Sequence, residues 1–479
     1  MTHSIARGRI RAALGVAALA VFPLLQACDG NTTDTLLEAV DPDVINPDDV
    51  RSAEGAQAQY FGALGRLRNI TGGNSQYYAE GSSWLFGGLL ADEWSTSSTF
   101  VQNDETDQRV TMTNNGTVTG MFRDLARART AATQAIKGMN EYRATETTRI
   151  AEMYFVRAFA EMQMANDFCN GIPLSDGTEA TIEFGDPLPV AEVYEASIAS
   201  ADSGLALIPA SATAAADLRV RRALLVTKAR ALVGLDRQAE AAALLGTSAV
   251  PSSFVYEVTY AVSSGDNVLW SQPRSSFRYT VGDSVEGNGR NLLVRNATPF
   301  FSAEDPRVPV TYLTTNGGRD TTKAQDGRTF VRVTSLWARS TPVPVVNALD
   351  ARLIEAEALL KAQDIPGMMT ILNALRAAPP ALGEVQPAAM AALDIPATQD
   401  DAVSLFFREK AFWQFSRGHR LGDLRRLVRQ YGRAADDVFP VGEHYRGGNY
   451  GPDVNLPVPQ AEENNPVLNN APACIDRNA

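Results

Sequence analysis

The chain has little histidine, cysteine or lysine, and no long hydrophobic run beyond its first few dozen residues. Of 479 residues only three are histidine, and His3 lies in the N-terminal segment, which leaves His419 and His444. A His-only zinc triad is excluded on that count, and a serine hydrolase would have to use one of the remaining two. No G-x-S-x-G, H-E-x-x-H or G-x-x-x-x-G-K-S/T string occurs. Five of the 43 basic residues are lysine, which reads as codon bias rather than function. Basic side chains are outnumbered by 55 acids, for a formal charge of -12. Nucleic-acid binding needs a basic surface, so that class is excluded. A hydrophobic content of 45% with 20% charged residues is that of a globular protein with a large core.

The N-terminus reads as an address. Arg7, Arg9 and Arg11 precede the mostly apolar run Ala12–Leu25, which is too short to span a bilayer comfortably and fits a secretory signal. It ends in Leu25-Gln26-Ala27-Cys28, which resembles the bacterial lipoprotein box, where the cysteine thiol takes a diacylglyceryl group before cleavage. Residues 1–27 are thus expected to be a signal peptide and Cys28 the lipidation site. Two or three acyl chains, palmitate among them, would anchor the protein stably. Residues 28–50, acidic and holding Pro42 and Pro47, read as a tether. The other two cysteines, Cys169 and Cys474, read as one disulfide in an oxidising compartment, with two free thiols as the alternative. Closing a loop that long is worth several kcal/mol in the chain-entropy model, less in practice.

From residue 51 the chain reads as mainly α-helical. Apolar spacing predicts helices over 52–69, 119–142, 146–167, 191–207, 219–234 and 237–245, and again over 347–361, 367–377 and 400–431. The succession of antiparallel helices resembles tetratricopeptide-type pairs. The scaffold would occupy about 51–249 and 347–431 of a single domain, 51–479. Residues 71–115 and 250–346 lose that period and are rich in Gly, Ser, Thr and Asn, with β-like runs at 254–261 and 329–333. The tail, 432–479, is irregular and must lie over a preformed scaffold.

Three stretches then align with one family. They are Arg149-Ile-Ala-Glu-Met-Tyr-Phe-Val-Arg157-Ala158-Phe159 running on to Gly171-Ile-Pro173, Leu353-Ile-Glu355-Ala356-Glu357-Ala358, and Arg408-Glu409-Lys410 through Gly418-His419-Arg420 to Asp423-Leu-Arg-Arg426. The tail adds Asn455-Leu-Pro-Val-Pro-Gln460. In order, behind a lipoprotein box, these resemble the SusD/RagB-like outer-membrane nutrient-binding lipoproteins. Arg417, Leu421, Gly422 and Trp413 depart from the family's usual residues, so the resemblance is to a divergent member. It implies a tetratricopeptide-like helix-pair scaffold with a large irregular region packed on it as the ligand face. It also implies a SusC-like TonB-dependent outer-membrane transporter as partner, a glycan or other polymeric nutrient as ligand, no cofactor and no catalysis. The rival reading is a tetratricopeptide-like envelope scaffold without a small ligand; an envelope hydrolase is a third.

The Arg408–Arg426 stretch could be mistaken for a catalytic centre, but its charges sit at spacings that let them pair with one another and with neighbouring helices, as Arg157 does on its own helix. Ligand binding needs aromatic faces for sugar C–H surfaces and polar edges for hydroxyls. The irregular blocks supply both. Tyr78, Trp84 and Trp94 lie beside Asp92, Glu93 and Asn103, while Trp270, Tyr279 and Trp337 lie beside Asn267, Arg278 and Asn291. The expected ligand contacts are Tyr78, Trp84, Asp92, Trp94, Asn103, Trp270, Tyr279 and Trp337, with no metal site.

Overall fold

The computed structural model describes residues 51–75, 82–178, 182–468 and 474–479. The signal, the tether, Cys28 and Tyr78 lie outside the described residues. In chain order the helices are α1 (Ala53–Ile70), α2 (Ser83–Leu90), α3 (Val101–Asp107), α4 (Gly116–Tyr142), α5 (Thr147–Asp167), α6 (Val190–Leu207), α7 (Ala215–Gly234) and α8 (Gln238–Ala243). After a stretch holding only α9 (Val268–Arg274) come α10 (Ala348–Lys361), α11 (Ile365–Ala377), α12 (Gln399–Trp413) and α13 (Arg420–Tyr431). The strands are short and pair in antiparallel twos. They are β1 (Trp94–Thr96) with β5 (Tyr279–Val281), β2 (Ile172–Pro173) with β3 (Pro187–Leu188), β4 (Val255–Val258) with β10 (Val343–Asn347), β6 (Val310–Tyr312) with β9 (Arg332–Thr334), and β7 (Thr314–Thr315) with β8 (Asp320–Thr321).

Local chemistry sets the helix ends. Ser52 accepts a hydrogen bond from Gly55 N at the start of α1, Asn115 accepts from Thr117 N and Val118 N at α4, and Asn347 with Asp350 forms a reciprocal capping box at α10. Gly432, at φ 68°, ends α13 in the left-handed conformation. Each scaffold helix buries one stripe. In α1 it is Ala56, Tyr60, Ala63, Leu67 and Ile70. In α4 it includes Met121, Leu125, Ala128, Ala132 and Met139. Helix α5 is buried nearly all round, because α1, α4, α6 and α7 all pack on it. This serial packing is the helix-pair arrangement that the sequence predicts.

Two expectations are corrected. Residues 400–431 form two helices, not one, since Ser416 (φ 59°) and Gly418 (φ 67°) turn the chain between α12 and α13. A side chain at 418 would place its Cβ 2.0 Å from Trp84 Cδ1, so the turn needs glycine for space as well as for φ. Gly422 matters differently, because a Cβ there would come 1.8 Å from Asn166 Oδ1, where α13 crosses the end of α5. The block 71–115 is not simply irregular either, for it holds α2 and α3. Every residue of α2 is buried, so it has no polar face and no helical period to read.

The tail is stitched to the end of α5. Leu456 N donates to Asp167 O at 2.8 Å, and Cys169 N donates to Leu456 O at 2.9 Å. Cys169 and Cys474 are disulfide-bonded, with Cα atoms 5.9 Å apart. No helix among the described residues is long and apolar enough to cross a membrane.

Candidate ligand-binding face

The structure does not bring the expected ligand residues to a common surface. Trp84 is fully buried, edge-on to Phe159 at 6.4 Å. Trp94 is 1% exposed, packs on Phe415 at 5.3 Å and Tyr279 at 6.5 Å, and donates from Nε1 to Ser416 Oγ at 3.3 Å. Tyr279, Asn103 and Trp337 are buried too. Asp92 holds Arg420 through two bonds of 2.7 Å and also accepts from Thr298 N, which makes it a structural acid. The expectation is therefore corrected for Trp84, Asp92, Trp94, Asn103, Tyr279 and Trp337. The irregular region is thick enough to need a core of its own, and the largest side chains fill it. Trp270 alone of the described set is partly exposed, with the Arg339 guanidinium 6.0 Å over its ring.

The Arg408–Arg426 stretch is a buried packing network. Lys410 donates to Asp423 at 2.7 Å, Arg426 reaches Asp423 at 2.6 Å and grips Glu357 of α10, and Glu409 binds Arg307 and Arg376. Arg417 makes a two-pronged pair with Asp350 at 2.9 Å on each side. Burial alone would raise the Glu357 carboxyl, but Arg426 and Lys410 overcome it and hold the pKa at about 2. Such charges fix helix against helix. Arg157 does likewise, donating from Nε to Ser200 Oγ of α6 at 3.0 Å.

Exposed aromatics lie elsewhere: Phe61 and Phe184 stand apart, while Tyr312 and Phe330 pack with half-buried Phe301 into a group. Phe301, Tyr312 and Phe330 form a ladder on the β6–β9 ribbon and the turn before it, with ring centroids 5.0 Å and 6.3 Å apart. Tyr312 is 41% exposed and Phe330 38%. Beneath them Arg332 is buried, 5.0 Å over Phe301, with Asp283 at 3.6 Å and a hydrogen bond to Val285 O. The same patch carries the exposed pair Val285 and Leu293, which face each other across an isolated bridge. The chain just before Phe301 leads away into a cleft of about 300 Å³, walled by Asn296–Pro299, Arg408, Leu424 and Arg433. A ring platform can stack on apolar ring faces, and a cleft lined by Asn296, Arg408 and Arg433 can hydrogen-bond polar edges. The signal for it was faint: the run 329–333 reads as β-like, but Phe330 lies two residues before β9, and no local spacing places it beside Tyr312 of β6. Among the described residues no group of three or more His, Cys, Asp or Glu is placed to hold a metal ion.

No protein-family model and no curated protein matches this chain. Solved structures do. A SusD-like carbohydrate-binding protein from Bacteroides fragilis is similar at 13% identity over 87% of this chain and 99% of its own, with a TM-score of 0.61. The surface glycan-binding protein A from Bacteroides uniformis is similar at 15% identity over 89% and 99%, with a TM-score of 0.59. A SusD superfamily protein from Bacteroides fragilis gives 15%, 86%, 97% and 0.58. Likeness at such identities is likeness of architecture, and the chain has the SusD-type fold.

Proposed function

We propose that this chain is a divergent SusD-type lipoprotein, anchored through Cys28 in the outer membrane, that binds a glycan at the cell surface and passes it to a SusC-like TonB-dependent transporter. The observation that carries the reading is a SusD-type fold spanning nearly the full length of solved proteins whose names state carbohydrate or glycan binding. In this reading the Phe301–Tyr312–Phe330 platform supplies the ring faces, and the cleft at Asn296–Pro299 supplies polar edges. No bond is made or broken; the protein captures and holds until transport draws the ligand in. The test has two parts. A glycan panel on the purified mature protein should give at least one saturable ligand, and an affinity pull-down of the lipidated protein from its native envelope should recover a large outer-membrane barrel in near-equal amount. Silence across glycan and peptide panels, with only periplasmic proteins recovered, would favour a scaffold.

A further inference from the structure

We propose that the cavity enclosed by α5, α7, α10, α12 and α13 is a binding site for one small monovalent anion of halide type, with Arg230 as its principal ligand. The cavity measures about 30 Å³. One water needs about 10–15 Å³ on such a measure, so a halide and at most one neighbouring water fill it.

Charge decides what the occupant is. Three carboxylates surround the cavity, and each is already committed. Asp350 takes the Arg417 fork, Gln414 Nε2 at 2.9 Å and Asn347 N at 2.8 Å. Asp423 Oδ1 takes Lys410 and Arg426, and Glu357 takes Arg426, with Lys410 at 3.6 Å. These acids balance Arg417, Lys410 and Arg426. Arg230 is the fourth cation, and no carboxylate among the described residues is hydrogen-bonded to it: Asp350 and Asp423 act on it only through space, and Asp167 of α5, the next acid, is shared with Arg425, so five cations face four carboxylates. It is 8% exposed, its Nη1 is buried without a hydrogen-bond partner, and its guanidinium lies 5.6 Å over the Phe159 ring.

His419 adds no charge, because burial and the four surrounding cations hold it neutral; its Nε2 is also unpartnered, 3.5 Å from Asp350 Oδ1. Gln414 Oε1, the remaining unpartnered atom on the lining, is an acceptor and suits the water beside the ion. An uncompensated guanidinium in a protein interior is costly, and a water dipole relieves only part of that cost, whereas one negative charge cancels the excess. A divalent anion would overshoot it, and a cation would worsen it.

Bromide is the probe. The mature protein is crystallised from sodium bromide and diffraction is recorded at the bromine edge. An anomalous peak within hydrogen-bond distance of the Arg230 guanidinium is expected; water density without anomalous signal there overturns the proposal. In solution, thermal unfolding is followed while bromide replaces gluconate, which is too large for the cavity, at constant ionic strength. The wild-type Tm should rise by about 1–2 °C per tenfold increase in bromide above saturation. The variant Arg230→Met should show no such rise. A bromide dependence that survives in Arg230→Met, or is absent from the wild type, overturns the proposal, and the crystallographic arm stands even if the variant does not fold.

Discussion

Glu93 is a carboxyl that the fold keeps protonated. It is 1% exposed and its Oε1 accepts from Ser416 N at 2.6 Å in the turn between α12 and α13. Burial pushes its pKa up from 4.5 to about 8, and the neighbouring Asp92 charge adds to the effect against the opposing pull of Ser416 N and Arg420. A carboxyl whose folded pKa is raised binds its proton more tightly when folded. Its contribution to stability is fully present below pH 4.5 and is lost as pH rises towards 8. The slope is about 1.4 kcal/mol per pH unit, on the order of 4–5 kcal/mol across the whole window. Glu93→Gln keeps the shape and the acceptor for Ser416 N but has no proton to lose. Wild type and variant should therefore be compared by urea unfolding at several pH values between 4.5 and 8.5, read by tryptophan fluorescence. The variant should gain on the wild type steadily with pH, by ~4 kcal/mol between the ends. Parallel stability curves would refute the argument, because they would mean that Glu93 is ionised in the folded protein or reaches water.

Glu357 carries the opposite sign. With its folded pKa held at about 2, its contribution is present above pH 4.5 and disappears as pH falls through 2. Glu357→Gln should cost ~3 kcal/mol at pH 7 by urea unfolding, and the difference from wild type should close in acid. Tyr312→Ala with Phe330→Ala should weaken glycan binding at least tenfold by calorimetry and leave Tm within about 2 °C, since both rings are exposed; unchanged affinity would move the binding site off the platform. Cys169→Ala with Cys474→Ala should lower stability by up to ~6 kcal/mol in the chain-entropy model and expose the tail to limited proteolysis.

The helical scaffold was legible because its stripes are regular and its ends are capped by Ser52, Asn115 and Asn347 in recognisable patterns. The charge network was legible too, since Asp423 and Arg426 sit one turn apart on α13. Partners such as Arg307 for Glu409 and Asp92 for Arg420 come from the irregular blocks, and no local spacing announces them. The ligand face failed for a physical reason. A tryptophan in a Gly/Ser-rich stretch reads as a loop residue, yet burial is a property of the whole fold; Trp84 and Trp94 lie under α13 and the turn before it, contributed by residues more than three hundred positions later. Tyr312 on β6 and Phe330 just before β9 stay outside, and nothing in their local sequence sets them apart from the buried rings.

The Cys169–Cys474 bond spans 305 residues of chain. At about 5–20 residues per second, synthesis leaves roughly 15–60 s between the appearance of the first sulfur and the second. When that interval opens helices α4 and α5 already have their sequence in hand, and Cys169 waits as a lone thiol just past the end of α5. The covalent link is thus a late event that reports on completion. A chain that stops short, or whose tail fails to lay Leu456 beside Phe168, keeps Cys169 as a free thiol, whereas a finished molecule holds it in the bond. Thiol labelling of newly made protein therefore separates unfinished or misassembled molecules from mature ones.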